Sequence, residues 1–106
     1  MSEGESNLEV KVACILKYLV KGVRPNRASQ SDLQIELEEL LPSALSIVIL
    51  PVVEGYTVEI EVSDVAPFSR SSFEPYVADH ILREAVIIRC KPTSDIQLQL
   101  LRAHYR

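Results

Sequence analysis

The sequence predicts an α+β fold in which a small, mainly antiparallel sheet packs against three or four amphipathic helices. Three observations predict this class: a β-hairpin pattern over about residues 46–63, an apolar run typical of a buried strand near residues 85–91, and helical periodicity on either side of them. The length of 106 residues and the 47% hydrophobic content are those of one domain with an aliphatic core. We therefore expect a flexible tail at residues 1–7 and a single α+β domain over residues 8–106.

A first helix is predicted to begin at Leu8. Asn7 is a suitable N-cap, and Gly22 followed by Pro25 can end the helix. One face carries aliphatic side chains at helical spacing, namely Leu8, Val12, Ile15, Leu16, Leu19 and Val23.

Residues 31–41 fit two structures. Ser31 and Gln34 have the spacing of a capping box, which favours a helix. Leu33 and Ile35 begin an alternation with polar residues that is typical of a strand. The abundance of Leu, Gln and Glu makes the helix our prediction, and the strand is the alternative.

The clearest β signal is a hairpin between residues 47 and 62. Its two apolar runs meet at Glu54 and Gly55, a dipeptide suited to a two-residue turn. Alternation in the second run predicts two faces, with Val58, Ile60 and Val62 inward and Thr57, Glu59 and Glu61 towards solvent. The first run is apolar on both faces, so we expect another surface to cover its second side.

The C-terminal third predicts a helix over about residues 73–84, a short buried strand over residues 85–90, and a last helix over residues 94–105. A strand is again the alternative for the last segment. If that segment and residues 31–41 are both strands, the order becomes αβββαββ. This order is similar at the fold level to the small acidic dimeric chaperones of type III secretion.

Two stretches, residues 12–35 and 77–98, resemble each other in the order of their apolar residues, prolines and Ser-Asp pairs. If this similarity is a true internal repeat, it implies two like units on either side of the hairpin.

The formal net charge of −4 argues against non-specific binding to nucleic acid or to anionic membranes. The charge is uneven: eleven acids and five bases in residues 1–64 give −6, whereas four acids and six bases in residues 65–106 give +2. Such a molecule could associate with a second copy of itself.

Cys14 and Cys90 are the two cysteines, and both lie in apolar patterns, where a free thiol behaves as a small hydrophobic group. The N-terminal residues resemble no targeting signal, and no apolar run is long enough to span a bilayer. We therefore expect a cytoplasmic protein without disulfides.

Two groups of polar residues are candidates for ligand binding. On a helix, Tyr76, His80 and Glu84 share one face, which could transfer a proton. The hydroxyl-rich loop before that helix could bind an anion through Ser69, Arg70, Ser71 and Ser72. The ordinary interpretation of both groups is a solvated surface.

Basic residues in or beside loops could form a patch for nucleic acid if they converge; they are Arg24, Arg27, Arg70, Arg89 and Lys91. Glu36, Glu38 and Glu39 would repel phosphates, so a nucleic-acid partner is disfavoured. Two His and two Cys at unrelated spacings predict no metal site. Three glycines, widely separated, provide no nucleotide-binding loop, so we expect no cofactor.

The excess of apolar pattern over any catalytic motif predicts a non-enzymatic protein-interaction module that forms a homodimer. One alternative is a small-ligand or anion-binding protein, or a weak enzyme, that uses the two polar groups above. A further alternative is a nucleic-acid-associated regulator.

Overall fold

The computed structural model describes residues 12–42, 44–63 and 75–105. Six elements follow one another along the chain: β1 (Val12–Lys21), α1 (Arg27–Leu40), β2 (Ala44–Val52), β3 (Gly55–Ser63), α2 (Pro75–Cys90) and β4 (Gln97–Tyr105). The predicted tail at residues 1–7 lies outside the described residues.

The four strands form one sheet in the order β2-β3-β1-β4, and every neighbouring pair is antiparallel. Each helix therefore joins two parallel strands that are separated by a third strand. This βαββαβ order is known as the split βαβ or ferredoxin-like arrangement. The α+β class is confirmed, whereas the expected three or four helices are wrong, because the described residues contain two.

The first predicted helix is a strand. Cys14, Leu16, Tyr18 and Val20 are fully or almost fully buried and alternate with partly exposed residues, which is the period of a strand. The helical spacing was misleading because Ile15 and the other outward aliphatic residues of β1 extend the apolar pattern to both faces.

Helix α1 confirms the helical interpretation of residues 31–41, but it begins earlier than Ser31. Its N-cap is Asn26, whose side chain accepts hydrogen bonds from the N–H groups of Ala28 and Ser29 at 2.8 and 3.1 Å. Leu33 and Leu37 are buried, as the helical face predicts.

The hairpin is confirmed as β2 and β3. The turn consists of Val53 and Glu54, between Val52 at the end of one strand and Gly55 at the start of the next. The inward residues of β3 are those predicted from alternation, and Val58, Ile60 and Val62 are all buried.

The strand predicted near residues 85–91 is wrong, since α2 continues to Cys90. Ala85 and Val86 are buried on the same helical face as Ala78 and Leu82, so the core-facing residues keep helical spacing throughout α2. A run of consecutive apolar residues that is too short to show its period fits a strand and a buried helix equally well.

The last element is a strand rather than the predicted helix over residues 94–105. Its first residues alternate Gln and Leu, which is the strand alternative. The similarity between residues 12–35 and 77–98 is not a structural repeat. The first stretch is a strand followed by a helix, and the second is a helix followed by a strand. The order αβββαββ does not occur either.

Both helices contribute to one hydrophobic core with the inward face of the sheet. The side chains that alternate with the core residues lie on the other side of the sheet, which we call the open face. Arg89 of α2 and Glu36 of α1 form an ion pair at 2.6 Å that joins the two helices.

Candidate functional site

Most of the predicted ligand-binding residues lie outside the part of the chain that the structure describes. The loop with Arg70, Ser69, Ser71 and Ser72 lies outside the described residues, as does the side chain of Tyr76. His80 and Glu84 are exposed on α2. The ligand-binding role of these residues stays a prediction.

The predicted basic residues are dispersed. Arg24 and Lys91 line one cavity of about 360 Å³ at the end of the sheet where α1 begins. Arg27 lines a different cavity of about 580 Å³, and Arg89 is engaged by Glu36. Arg70 lies outside the described residues. The described bases therefore provide two cations in one cavity rather than a continuous basic surface.

The open face of the sheet has no second layer of helices or strands among the described residues. The strand registers arrange its side chains in three rows across β2, β3, β1 and β4. The rows are Leu50–Thr57–Leu19–Gln99, Val48–Glu59–Lys17–Arg102 and Ser46–Glu61–Ile15–His104.

Aliphatic side chains make up much of this face. Leu50 and Val48 on the outer strand β2 are 55% and 43% exposed, and Leu101 on the opposite outer strand is 45% exposed. Ile15 and Leu19 on β1 are partly exposed. Leu101 is the extra residue of a β-bulge in β4, because Lys17 pairs with Arg102 and the next residue of β1 pairs with Leu100.

The charges on the open face are separated by strand. The acids Glu59 and Glu61 lie on β3, whereas the bases Lys17 and Arg102 lie on β1 and β4. Glu59 is directly opposite Lys17 in the register. Neither of these two described side chains forms an ion pair within 4.0 Å, so both charges can take an external partner.

The outer edge of β2 is closed by α1. Gln34 donates a hydrogen bond from its side-chain amide to the carbonyl of Ile47 at 2.8 Å, and Gln30 does the same to the carbonyl of Ile49 at 2.9 Å. These carbonyls point away from β3. Pro51 is two residues after Ile49, so the backbone N–H that a proline lacks would also point away from β3. Its absence therefore costs no hydrogen bond to β3. A partner strand therefore meets an occupied edge at β2.

Titratable groups with a shifted pKa lie away from the open face. Burial raises the pKa of the Tyr56 hydroxyl, partly opposed by its hydrogen bond to Asn26. Burial also raises the pKa of the Cys90 thiol, with a further contribution from Asp32. A raised pKa keeps a thiol protonated and unreactive at neutral pH, so Cys90 is not activated as a nucleophile.

Within the described ranges, no three His, Cys, Asp or Glu side chains are grouped as metal ligands would be. Neither described helix has the length and apolar character needed to cross a membrane.

Comparison with protein families, with curated proteins and with solved structures found no match for this chain. The fold and the site therefore define its class on their own. It is a two-layer α+β protein of split βαβ order whose exposed sheet face mixes aliphatic and charged side chains.

Proposed function

We propose that this chain is a non-enzymatic protein-interaction module that binds through the open face of its sheet. The observation that carries this proposal is the exposed aliphatic surface of Val48 and Leu50, with Ile15 and Leu19 partly exposed beside them, on a face that no described element covers. Exposed apolar side chains gathered on one surface are typical of protein-binding sites, whereas isolated ones are ordinary.

The mixture of side chains on the face also supports a protein partner. Protein-binding surfaces combine apolar side chains with charged groups that set the orientation of the partner. Here Leu19 and Ile15 lie beside Glu59 and Lys17 in adjoining rows.

The same face is poorly suited to nucleic acid. Glu59 and Glu61 lie on one of its two central strands, where they would repel phosphates. The three rows contain no Phe, Tyr or Trp on which a base could stack, and His104 at the end of one row is their single aromatic ring.

Two matched substitutions test the proposal. Leu50→Lys places a charge on the open face, and Ile88→Lys places the same charge on the helical side at nearly equal exposure, 55% against 53%. Self-association of the purified chain is the binding that can be measured without another protein. It can be followed by sedimentation velocity over about 1 to 100 µM, the range expected for a modest interface.

We expect the unchanged chain to associate with itself, Leu50→Lys to weaken that association about tenfold or more, and Ile88→Lys to leave it unchanged. Far-UV circular dichroism verifies that both variants are folded. An unchanged chain that stays monomeric throughout, or equal losses in the two variants, would contradict the proposal.

A further inference from the structure

We infer that the open face binds the open face of a second copy, related by a two-fold axis that runs parallel to the strands between β3 and β1. The inference rests on the proposed function and adds the partner and its orientation. It is carried by the separation of acids on β3 from bases on β1 and β4.

Two symmetric arrangements place the face against itself with the strands of the two copies aligned, because the two-fold axis then runs either along the strands or across them. An axis across the strands places β3 on the partner's β3. Glu59 and Glu61 then face the same two acids of the second copy. Like charges placed together at an interface are strongly unfavourable, so this arrangement is excluded by the charge pattern.

An axis along the strands has the opposite result. It places β3 over β1 of the second copy and β2 over β4 of the second copy. Each row of side chains then lies over the same row of the second copy. Glu59 then lies over the partner's Lys17, and Lys17 lies over the partner's Glu59. Each charge pair therefore occurs twice in the dimer, and both occurrences are attractive.

On the outer strands the same operation places long side chains of β4 over the aliphatic residues of β2. Leu50 comes to lie over Gln99 of the second copy, and Val48 over Arg102. The aliphatic stem of Arg102 provides further apolar surface at the level of Val48. These contacts cover the second side of β2.

The area is sufficient for a dimer of modest affinity. A face of four strands, three with nine residues and β1 with ten, is about 30 Å long and about 19 Å wide. Covering it in both copies would bury on the order of 1,100 Å², which exceeds the roughly 1,000 Å² that a biological interface needs.

The test uses two charge-reversal chains, Glu59→Lys and Lys17→Glu. In each chain alone, two like-charge contacts replace the two attractive contacts of the dimer. In a mixed dimer, the new Lys of one chain lies over the new Glu of the other, while the second contact is the original pair. We expect each variant alone to associate about tenfold more weakly than the unchanged chain, and the mixture to recover to within about threefold.

Mixing separates contacts between chains from contacts within one chain. Glu59 and Lys17 are also cross-strand neighbours, so each variant loses an attraction inside its own sheet. Mixing two chains cannot restore a contact within either of them. A control pair on the helical side, Glu84→Lys and Lys91→Glu, should show no change alone or mixed, because both residues are exposed away from the open face.

The outcomes distinguish the two proposals. Recovery on mixing, absent from the control pair, supports the inference. If the unchanged chain dimerises and Leu50→Lys weakens the dimer, but mixing restores nothing, the orientation is wrong and the proposed function stands. A dimer that responds to neither substitution overturns both, as does an unchanged chain that is monomeric throughout.

Discussion

The hydroxyl of Tyr56 joins the sheet to the start of α1. Tyr56 is fully buried on β3, and its oxygen accepts a hydrogen bond from the backbone N–H of Asn26 at 2.8 Å. The same hydroxyl donates to the backbone carbonyl of Asn26 at 3.0 Å. The substitution Tyr56→Phe removes both hydrogen bonds and leaves the ring in place.

The expected loss follows from two neutral hydrogen bonds of about 0.5–1.5 kcal/mol each, so Tyr56→Phe should lower the free energy of unfolding by about 1–3 kcal/mol. For a domain of this size, each kcal/mol lowers the melting temperature by about 4–8 °C. Urea unfolding followed by far-UV circular dichroism measures the change in free energy. A loss below about 0.5 kcal/mol would refute the structural role of the hydroxyl.

Asn26→Ala is the matched control for this contact. It removes the side-chain cap, at an expected cost of about 0.5–2 kcal/mol, and it keeps the backbone groups that Tyr56 binds. If Tyr56 acts only through the backbone of Asn26, the losses in the double variant should be close to additive.

The raised pKa of Tyr56 adds a dependence on pH. Because the folded state holds the proton more tightly than the unfolded chain, the unfolded chain loses its proton first as the pH rises above the ordinary value of 10.0. The stability from this group is therefore complete below pH 10 and is lost as the pH rises through the folded pKa. Tyr56→Phe should flatten the fall in stability above pH 10. An equally steep fall in the variant would show that other groups cause it.

Three further substitutions test the fold. Gly55→Ala should lower the free energy of unfolding by roughly 3 kcal/mol or more, because its Cβ would lie 2.0 Å from the carbonyl oxygen of Val20. Thermal unfolding measures this loss, and near-native stability would contradict it. Gln34→Leu removes the donor to the carbonyl of Ile47 and opens the edge of β2, so it should cost about 0.5–1.5 kcal/mol in urea unfolding. It should also increase aggregation measured by light scattering. No change in either measurement would refute the closure of this edge. Leu33→Ala should cost about 2–5 kcal/mol in the same unfolding experiment, since the side chain is fully buried, and a loss below about 1 kcal/mol would contradict the packing.

Local patterns with a single period predicted their elements correctly. The hairpin was predicted because Val58, Ile60 and Val62 alternate with polar residues and Glu54-Gly55 suits a two-residue turn; the observed turn lies one residue earlier, at Val53 and Glu54. The helix around Leu33 and Leu37 was predicted from spacing and composition. In both cases one face is polar, so the period is visible in the sequence.

The errors in β1 and α2 have one physical origin, which is apolar residues on more than one face. In β1 the outward residues include Ile15 and Leu19, and their presence beside the core residues imitates a helical stripe. In α2 the exposed Ile87 and Ile88 follow the buried Val86, and the resulting run imitates a strand. Alternation of Leu16 and Tyr18 with Lys17 was the available signal for β1.

These same errors concealed the candidate site. The open face is made by four strands, and a sequence interpretation that assigns β1 and β4 to helices cannot bring Lys17 next to Arg102 or Glu59. Only the prediction that the first strand of the hairpin needs a cover on its second side pointed to the correct surface. The pairing of distant strands supplied the rest, because register and strand order are not local properties.

The edge and the face of β2 differ in a way that supports the proposed face-to-face association. Ile47 and Ile49 face the core, and their outward carbonyls are occupied by glutamine side chains of α1. Val48 and Leu50 face away from the core and remain exposed. An open edge promotes uncontrolled growth of a sheet, whereas a face can be covered once by a partner and then closed. A strand that has an occupied edge and an exposed aliphatic face, as β2 has, is therefore suited to contact through its face rather than to pairing with a further strand along that edge.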